Sequence, residues 1–233
     1  MKTGIFLSYK GLGANLLHLS YCHQIAKKFG KVELITLCPN LNRVLIDDPL
    51  IKSVNYLDKF HKNFFDIINL SVFIKKFNFE NIFIFYPSIR HYLACKIAGI
   101  KNIYHYPLFK KKNLHLVNAA KTFTEQSLNI KNCPTETQIS LNSEKIKKYN
   151  LGKQKKIVLG IGSSGPTTRW GYNNFASLIN KFKDIGDYHF YLVCGKNEEE
   201  GAIKIINQVK KGNCESLSSK DVSEIISVSY THL

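Results

Sequence analysis

The sequence has no apolar run approaching the ~18 residues that a membrane-spanning helix needs. Nor does it open like a secretory leader. The apolar stretch at residues 4–7 is too short, and Lys10 and two glycines follow at once. Its six cysteines, at 22, 38, 95, 133, 194 and 214, form no CxxC pair and no Cys/His cluster of zinc-binding spacing. Cys38 and Cys194 close apolar runs, where cysteine serves as a small buried hydrophobe. Reduced, structural thiols and a cytoplasmic setting are expected. The acids do not cluster, so no metal site is expected.

Acids are also scarce. Asp and Glu total 17 against 33 Lys and Arg, for a net charge of +16, and none occurs before Glu33. Such a field favours anionic partners: nucleic acid, an acidic membrane surface or phosphorylated small molecules. Lysine-rich codon usage would produce it as well. A specific nucleic-acid role is disfavoured because the aromatics fall in apolar runs rather than among lysines, as a base-stacking platform requires.

What is present is an alternation of short apolar runs with longer amphipathic ones, the pattern of a parallel α/β sheet. The spacing predicts strands over 4–8, 32–37, 53–57, 81–86 and 102–106. Helices are predicted over 16–29, 64–77, 89–98 and 113–129. A polar, basic stretch over 142–156 reads as a linker. The alternation then restarts, with strands over 156–161 and 188–194. Helices follow over 173–182 and 198–209, and another begins near Lys220. We therefore expect two Rossmann-like domains, 1–145 and 146–233, with ligands at the carboxyl ends of the strands.

Three turns carry candidate chemistry. Tyr9-Lys10-Gly11-Leu12-Gly13-Ala14-Asn15 links the first strand to its helix, where free N–H groups suit an anion or a sugar hydroxyl. It lacks the third glycine of the dinucleotide fingerprint, since position 16 is leucine. A tight structural turn is the alternative. Gly160-Ile161-Gly162-Ser163-Ser164-Gly165-Pro166-Thr167-Thr168-Arg169-Trp170 offers hydroxyls, backbone N–H groups and a guanidinium to phosphate oxygens. Trp170 is expected to pack beneath it. Val193-Cys194-Gly195-Lys196-Asn197-Glu198 ends a strand on a carboxylate suited to a ribose, although a helix dipole also favours acids there.

The second turn, with Phe175-Ala176-Ser177-Leu178-Ile179 behind it, resembles the phosphate loop and following helix of the family nine glycosyltransferases, the lipopolysaccharide heptosyltransferases and their relatives. Thr168-Arg169-Trp170-Gly171 stands where that family has Lys-Arg-Trp-Pro. The first turn resembles its Gly-x-Gly-Asp and the third its Gly-x-x-x-Glu. The resemblance implies a GT-B fold and inverting transfer of a sugar from a nucleotide-sugar donor of ADP-heptose type, without a cofactor. The acceptor would be an anionic glycolipid at the inner membrane surface, on which the chain would sit peripherally. It implies donor binding by Ser163, Ser164, Thr167, Thr168, Arg169 and Glu198, and acceptor binding by Lys10, Gly11, Gly13 and Asn15. Departures accompany it. The family's acidic base falls on Ala14, which leaves His18, one helical turn on, as the expected substitute. The expected loop lysine is Thr168. The sequence ends at Ser229-Tyr230-Thr231-His232-Leu233, without the Asp-Ser-Gly-Pro type motif. An incomplete second domain and an inactive fragment are therefore expected. A sugar-nucleotide or glycan binder that has lost its base is the alternative.

Overall fold

The computed structural model describes residues 1–58, 65–107, 115–140, 154–162, 169–183, 185–209 and 214–230. The chain divides into two compact units, Met1–Ser140 and Leu141–Leu233.

The first unit is a five-stranded parallel sheet in the order β3-β2-β1-β4-β5. Its strands are β1 (Thr3–Leu7), β2 (Val32–Thr36), β3 (Ile51–Tyr56), β4 (Asn81–Ile84) and β5 (Asn102–His105). β1, β2 and β4 are buried along their whole length, as strands covered on both faces must be. Helices α1 (Leu12–Leu16), α2 (Leu19–Phe29), α3 (Leu41–Val44), α4 (Phe65–Lys75), α5 (Ile89–Ile97) and α6 (Leu116–Leu128) connect or cover them. One core joins Phe6, Ile82 and Ile84 of the sheet to Ile67, Leu70 and Ile74 of α4 and to Ala94 and Cys95 of α5.

The helix expected over 16–29 is broken at Leu17 and His18. The His18 ring donates from Nδ1 to the Ala14 carbonyl at 2.6 Å, while the His18 amide turns to the Asn15 carbonyl at 3.0 Å. A side chain thus takes the acceptor that a continuing α-helix would use, and the backbone tightens. Gly30 and Gly99 end α2 and α5 in the left-handed region, at φ 85° and 80°.

The second unit holds a three-stranded parallel sheet, β6-β7-β8, among its described residues. β6 is Lys155–Gly160, β7 Tyr188–Val193 and β8 Cys214–Ser216. α7 (Tyr172–Lys183) and α8 (Glu199–Gln208) pack on it through Ala176, Ile179, Ala202 and Ile205. A single 3-10 turn, Lys196–Glu198, precedes α8, and α9 spans Val222–Tyr230. The expected linker lies almost wholly outside the described residues. The six cysteines are free thiols, five of them buried. No described helix is long and apolar enough to cross a membrane.

Candidate functional site

In the first unit the strand order reverses between β1 and β4, and open α/β sheets bind ligands at the carboxyl edge of such a reversal. A cavity of about 490 Å³ lies there. It is lined by residues at or just beyond the ends of four strands: Ser8 after β1, Leu37 after β2, Tyr56 and Asp58 at β3, and Tyr86 after β4. Lys10, Ser88, Arg90 and His91 complete its polar wall. Among the described residues, two cations, four hydroxyl side chains and one carboxylate therefore share a pocket of sugar-phosphate size. Asp58 accepts a weak hydrogen bond from the Tyr56 hydroxyl at 3.4 Å. Burial pushes the His91 imidazole down to about 4, with the charges of His105 and Arg90 adding to the effect.

The first sequence turn borders this cavity but contributes only Lys10 to its lining. Gly11 is the N-cap of α1, and neither Gly11 nor Gly13 has an atom within 4 Å of where a Cβ would stand. Asn15 is turned inward. It donates to the carbonyls of Tyr9 (2.9 Å) and Gly11 (2.7 Å) and accepts from the Thr36 hydroxyl at 2.8 Å. Its polar atoms thus brace the turn and tie it to the end of β2.

His18 is sealed. It has no exposed surface, stacks on Tyr9 at 4.8 Å and meets Phe85 edge-on. With Nδ1 donating to Ala14, Nε2 is left to accept from the Tyr106 hydroxyl at 3.5 Å. Burial lowers its pKa, and the Ala14 hydrogen bond only partly offsets this. Tyr9 in turn donates to the Phe85 carbonyl at 2.9 Å, and burial beside Tyr86 pushes its phenol up to about 12.

In the second unit Ser163, Ser164, Thr167 and Thr168 lie outside the described residues. The two other donor-side candidates, Arg169 and Glu198, come together. Glu198 accepts from the Gly195 N–H at 2.9 Å through Oε2, and its Oε1 stands 3.5 Å from Arg169 Nη2. A Cβ on Gly162 would lie 2.6 Å from the same carboxylate. A side chain at Gly162 would therefore push the Glu198 carboxylate aside, and Glu198 stands between Gly162 and Arg169 after β6 and Gly195 after β7. Trp170 is 54% exposed and edge-on to Phe175 at 5.0 Å, and the loop beneath which it is expected to pack, 163–168, lies outside the described residues. Asn174 donates to the Trp170 carbonyl at 2.6 Å.

Asp58, Tyr56, Ser88 and Arg90 escape notice in the sequence because they come from two separate strand ends, Tyr56 and Asp58 at the end of β3 and Ser88 and Arg90 beyond β4. The available signal was position: polar residues immediately following predicted strands, at the edge where such sheets bind ligands.

The sequence profile of glycosyltransferase family 9 (heptosyltransferase) matches residues 98–221, more than half of the chain. No curated protein sequence gives a match. Among solved structures, the glycosyl transferase family 9 protein from Veillonella parvula superposes with a TM-score of 0.76 at 17% identity, covering 97% of this chain and 72% of that one. For the ADP-heptose lps heptosyltransferase II of E. coli the TM-score is 0.75 at 13% identity, covering 98% and 76%. For E. coli heptosyltransferase WaaC with ADP it is 0.70 at 14%, covering 98% and 78%. At these identities the likeness is one of fold: parallel α/β sheets of the GT-B glycosyltransferase type.

Proposed function

Because the chain belongs to glycosyltransferase family 9, we propose that it moves a sugar, heptose from an ADP-heptose donor, to a lipopolysaccharide or related cell-surface glycan with inversion at the anomeric carbon. The observation that carries this is the family match over residues 98–221, which takes in the Arg169–Glu198 pair and the loops it joins. The E. coli relative solved with ADP supports a nucleotide-sugar partner. No cofactor is invoked.

In this reading an acceptor hydroxyl attacks the anomeric carbon from the face opposite the diphosphate. The bond from that carbon to the phosphate oxygen breaks, and the nucleoside diphosphate leaves. Negative charge grows on the departing oxygen, where Arg169 and the hydroxyls of Ser163, Ser164, Thr167 and Thr168 would stabilise it. Glu198 would hold the nucleotide ribose. Lys10, with the turn of Gly11 and Gly13, would meet the acceptor's anionic groups. The chain would act in the cytoplasm, peripheral to the inner membrane that carries the acceptor.

The attacking hydroxyl must lose a proton. His18 would serve only if the Tyr9 stack opened. Asp58 is the carboxylate that lines the cavity, and we assign it the base role that Ala14 has vacated. The second reading, a binder without turnover, is favoured by Ala14 alone.

The test is release of ADP from ADP-heptose, and from other sugar nucleotides, with a lipopolysaccharide-core acceptor, alongside equilibrium binding of ADP. Transfer dependent on acceptor supports the enzyme. Donor binding with no transfer, recovered in Ala14→Asp or not, favours the binder. Neither binding nor transfer defeats both.

A further inference from the structure

We propose that the outward face of α4 and α5 is the surface on which this chain rests against an anionic lipid bilayer. Both helices pack side by side over the same face of the sheet, through Ile67, Leu70 and Ile74 of α4 and Ala94 and Cys95 of α5. The opposite sides of such helices ordinarily carry polar residues. Here they carry Ile68 and Val72, four residues apart, and Ile89, Leu93 and Ile97, again at intervals of four. All five are between 41% and 59% exposed. The fourfold spacing stacks each set into one stripe.

The charge around the stripes has one sign. Lys75 and Lys76 end α4, Lys96 lies on α5, and Lys101 follows it, all exposed. From residue 65 to residue 101 the sequence holds two acids. Asp66 is buried, and Glu80 lies before β4, beside the amino terminus of the chain. Neither sits among the stripes. The helices of the second unit differ. α7 and α8 expose Asn173, Asn174, Lys181, Lys204 and Gln208 around a single large apolar residue, Ile203.

An apolar stripe flanked by lysines, with no acid among them, suits the boundary between acyl chains and anionic headgroups. The isoleucines and leucine enter the acyl region, while the lysines lie along it and pair with phosphate. A second copy of the chain is a poorer occupant. It would bring the same lysines against one another across the interface, at a net charge of +16 per chain. Nucleic acid would satisfy the lysines and leave the stripes in water. The inference deepens the proposed function, whose acceptor lies at a membrane, yet its readout is lipid binding alone. Failure of either therefore leaves the other standing.

The experiment is flotation of the full chain with vesicles of phosphatidylcholine and phosphatidylglycerol, against phosphatidylcholine alone. The chain should float with the mixed vesicles only. Ile89→Ser/Leu93→Ser/Ile97→Ser should weaken partitioning about tenfold or more, and Lys96→Glu/Lys101→Glu should do the same, with melting temperature and ADP binding unchanged. In a Trp170→Phe background, Leu93→Trp emission should shift to the blue on adding mixed vesicles. Flotation unaltered by both variants, or no blue shift, overturns the proposal. So does a dimer in sedimentation that the serine variant dissociates, since the occupant would then be a second copy.

Discussion

A general base has to reach the proton it removes. His18 is enclosed by Tyr9, Phe85 and Tyr106, whereas Asp58 lines an open cavity. Asp58→Asn should therefore lower kcat by roughly 10²–10⁴-fold with little change in KM for the donor. His18→Gln should lower the melting temperature and leave kcat near wild type. The reverse pattern in steady-state kinetics would return the role to His18. Ala14→Asp should restore turnover to the Asp58→Asn variant if both positions look onto the same hydroxyl. His91 makes a second case. Its folded pKa is pushed down to about 4 from 6.5, so between those values the unfolded chain binds the proton that the folded chain refuses. Its contribution is therefore fully present above pH 6.5 and lost as pH falls toward 4. The loss from this group approaches roughly 3 kcal/mol at most. Denaturant titrations between pH 7 and 4.5 should show that slope, and His91→Gln should flatten it. An equal slope in both proteins would remove His91 from the account.

At the scale of elements, backbone contact decides more than propensity does. Gly4 is the second residue of β1, and a Cβ there would stand 2.6 to 2.8 Å from the Phe79 ring, which is buried and stacked on Phe77 at 5.3 Å. Gly4→Ala reduces backbone freedom in the unfolded chain, worth about 0.5–1 kcal/mol in its favour. Overpacking should outweigh that and leave the variant about 1–3 kcal/mol less stable by urea denaturation. In a Phe79→Leu background the same substitution should become neutral or stabilising, and a penalty that persists there would point elsewhere. Alternation of apolar runs made the parallel sheets legible, because β1, β2 and β4 are apolar for the physical reason that both faces are covered. The short pieces were not legible. β8 has three residues, too few for a period, and α3 has four. The break at His18 was invisible as well, because a side chain competing for the Ala14 carbonyl leaves the 3.6-residue pattern intact. The same holds at the site. Lys10 and the Arg169–Glu198 loops announce themselves through glycine turns, whereas Asp58 and Arg90 belong to one cavity only because the strand order brings β3 and β4 to either side of β1 and β2.

The whole molecule carries +16 charges, and the cavity at the carboxyl edge of the first sheet opens among them with Lys10 and Arg90 in its wall. Charges of one sign act together over a distance that salt controls, about 10 Å in 0.1 M salt and about 3 Å in 1 M. An anionic acceptor should accordingly be drawn in at low ionic strength, and the acceleration should fall away as salt rises. Chemistry at the bound complex feels little of this, because groups in contact are screened much less than groups apart. The expected outcome is that kcat/KM for a phosphorylated acceptor drops at least tenfold between 0.02 and 0.5 M sodium chloride while kcat stays within about twofold. The slope should be shallower for an acceptor stripped of its phosphates. Lys10→Ala should reduce the salt slope as well as the low-salt value, whereas Lys204→Ala, on the outer side of α8, should change neither by much. Double-stranded DNA of random sequence serves as the control, since charge alone would bind it with a steep salt dependence and no preference of sequence. If kcat/KM for charged and dephosphorylated acceptors falls in parallel with salt, the positive field is a property of composition and takes no part in selecting the acceptor.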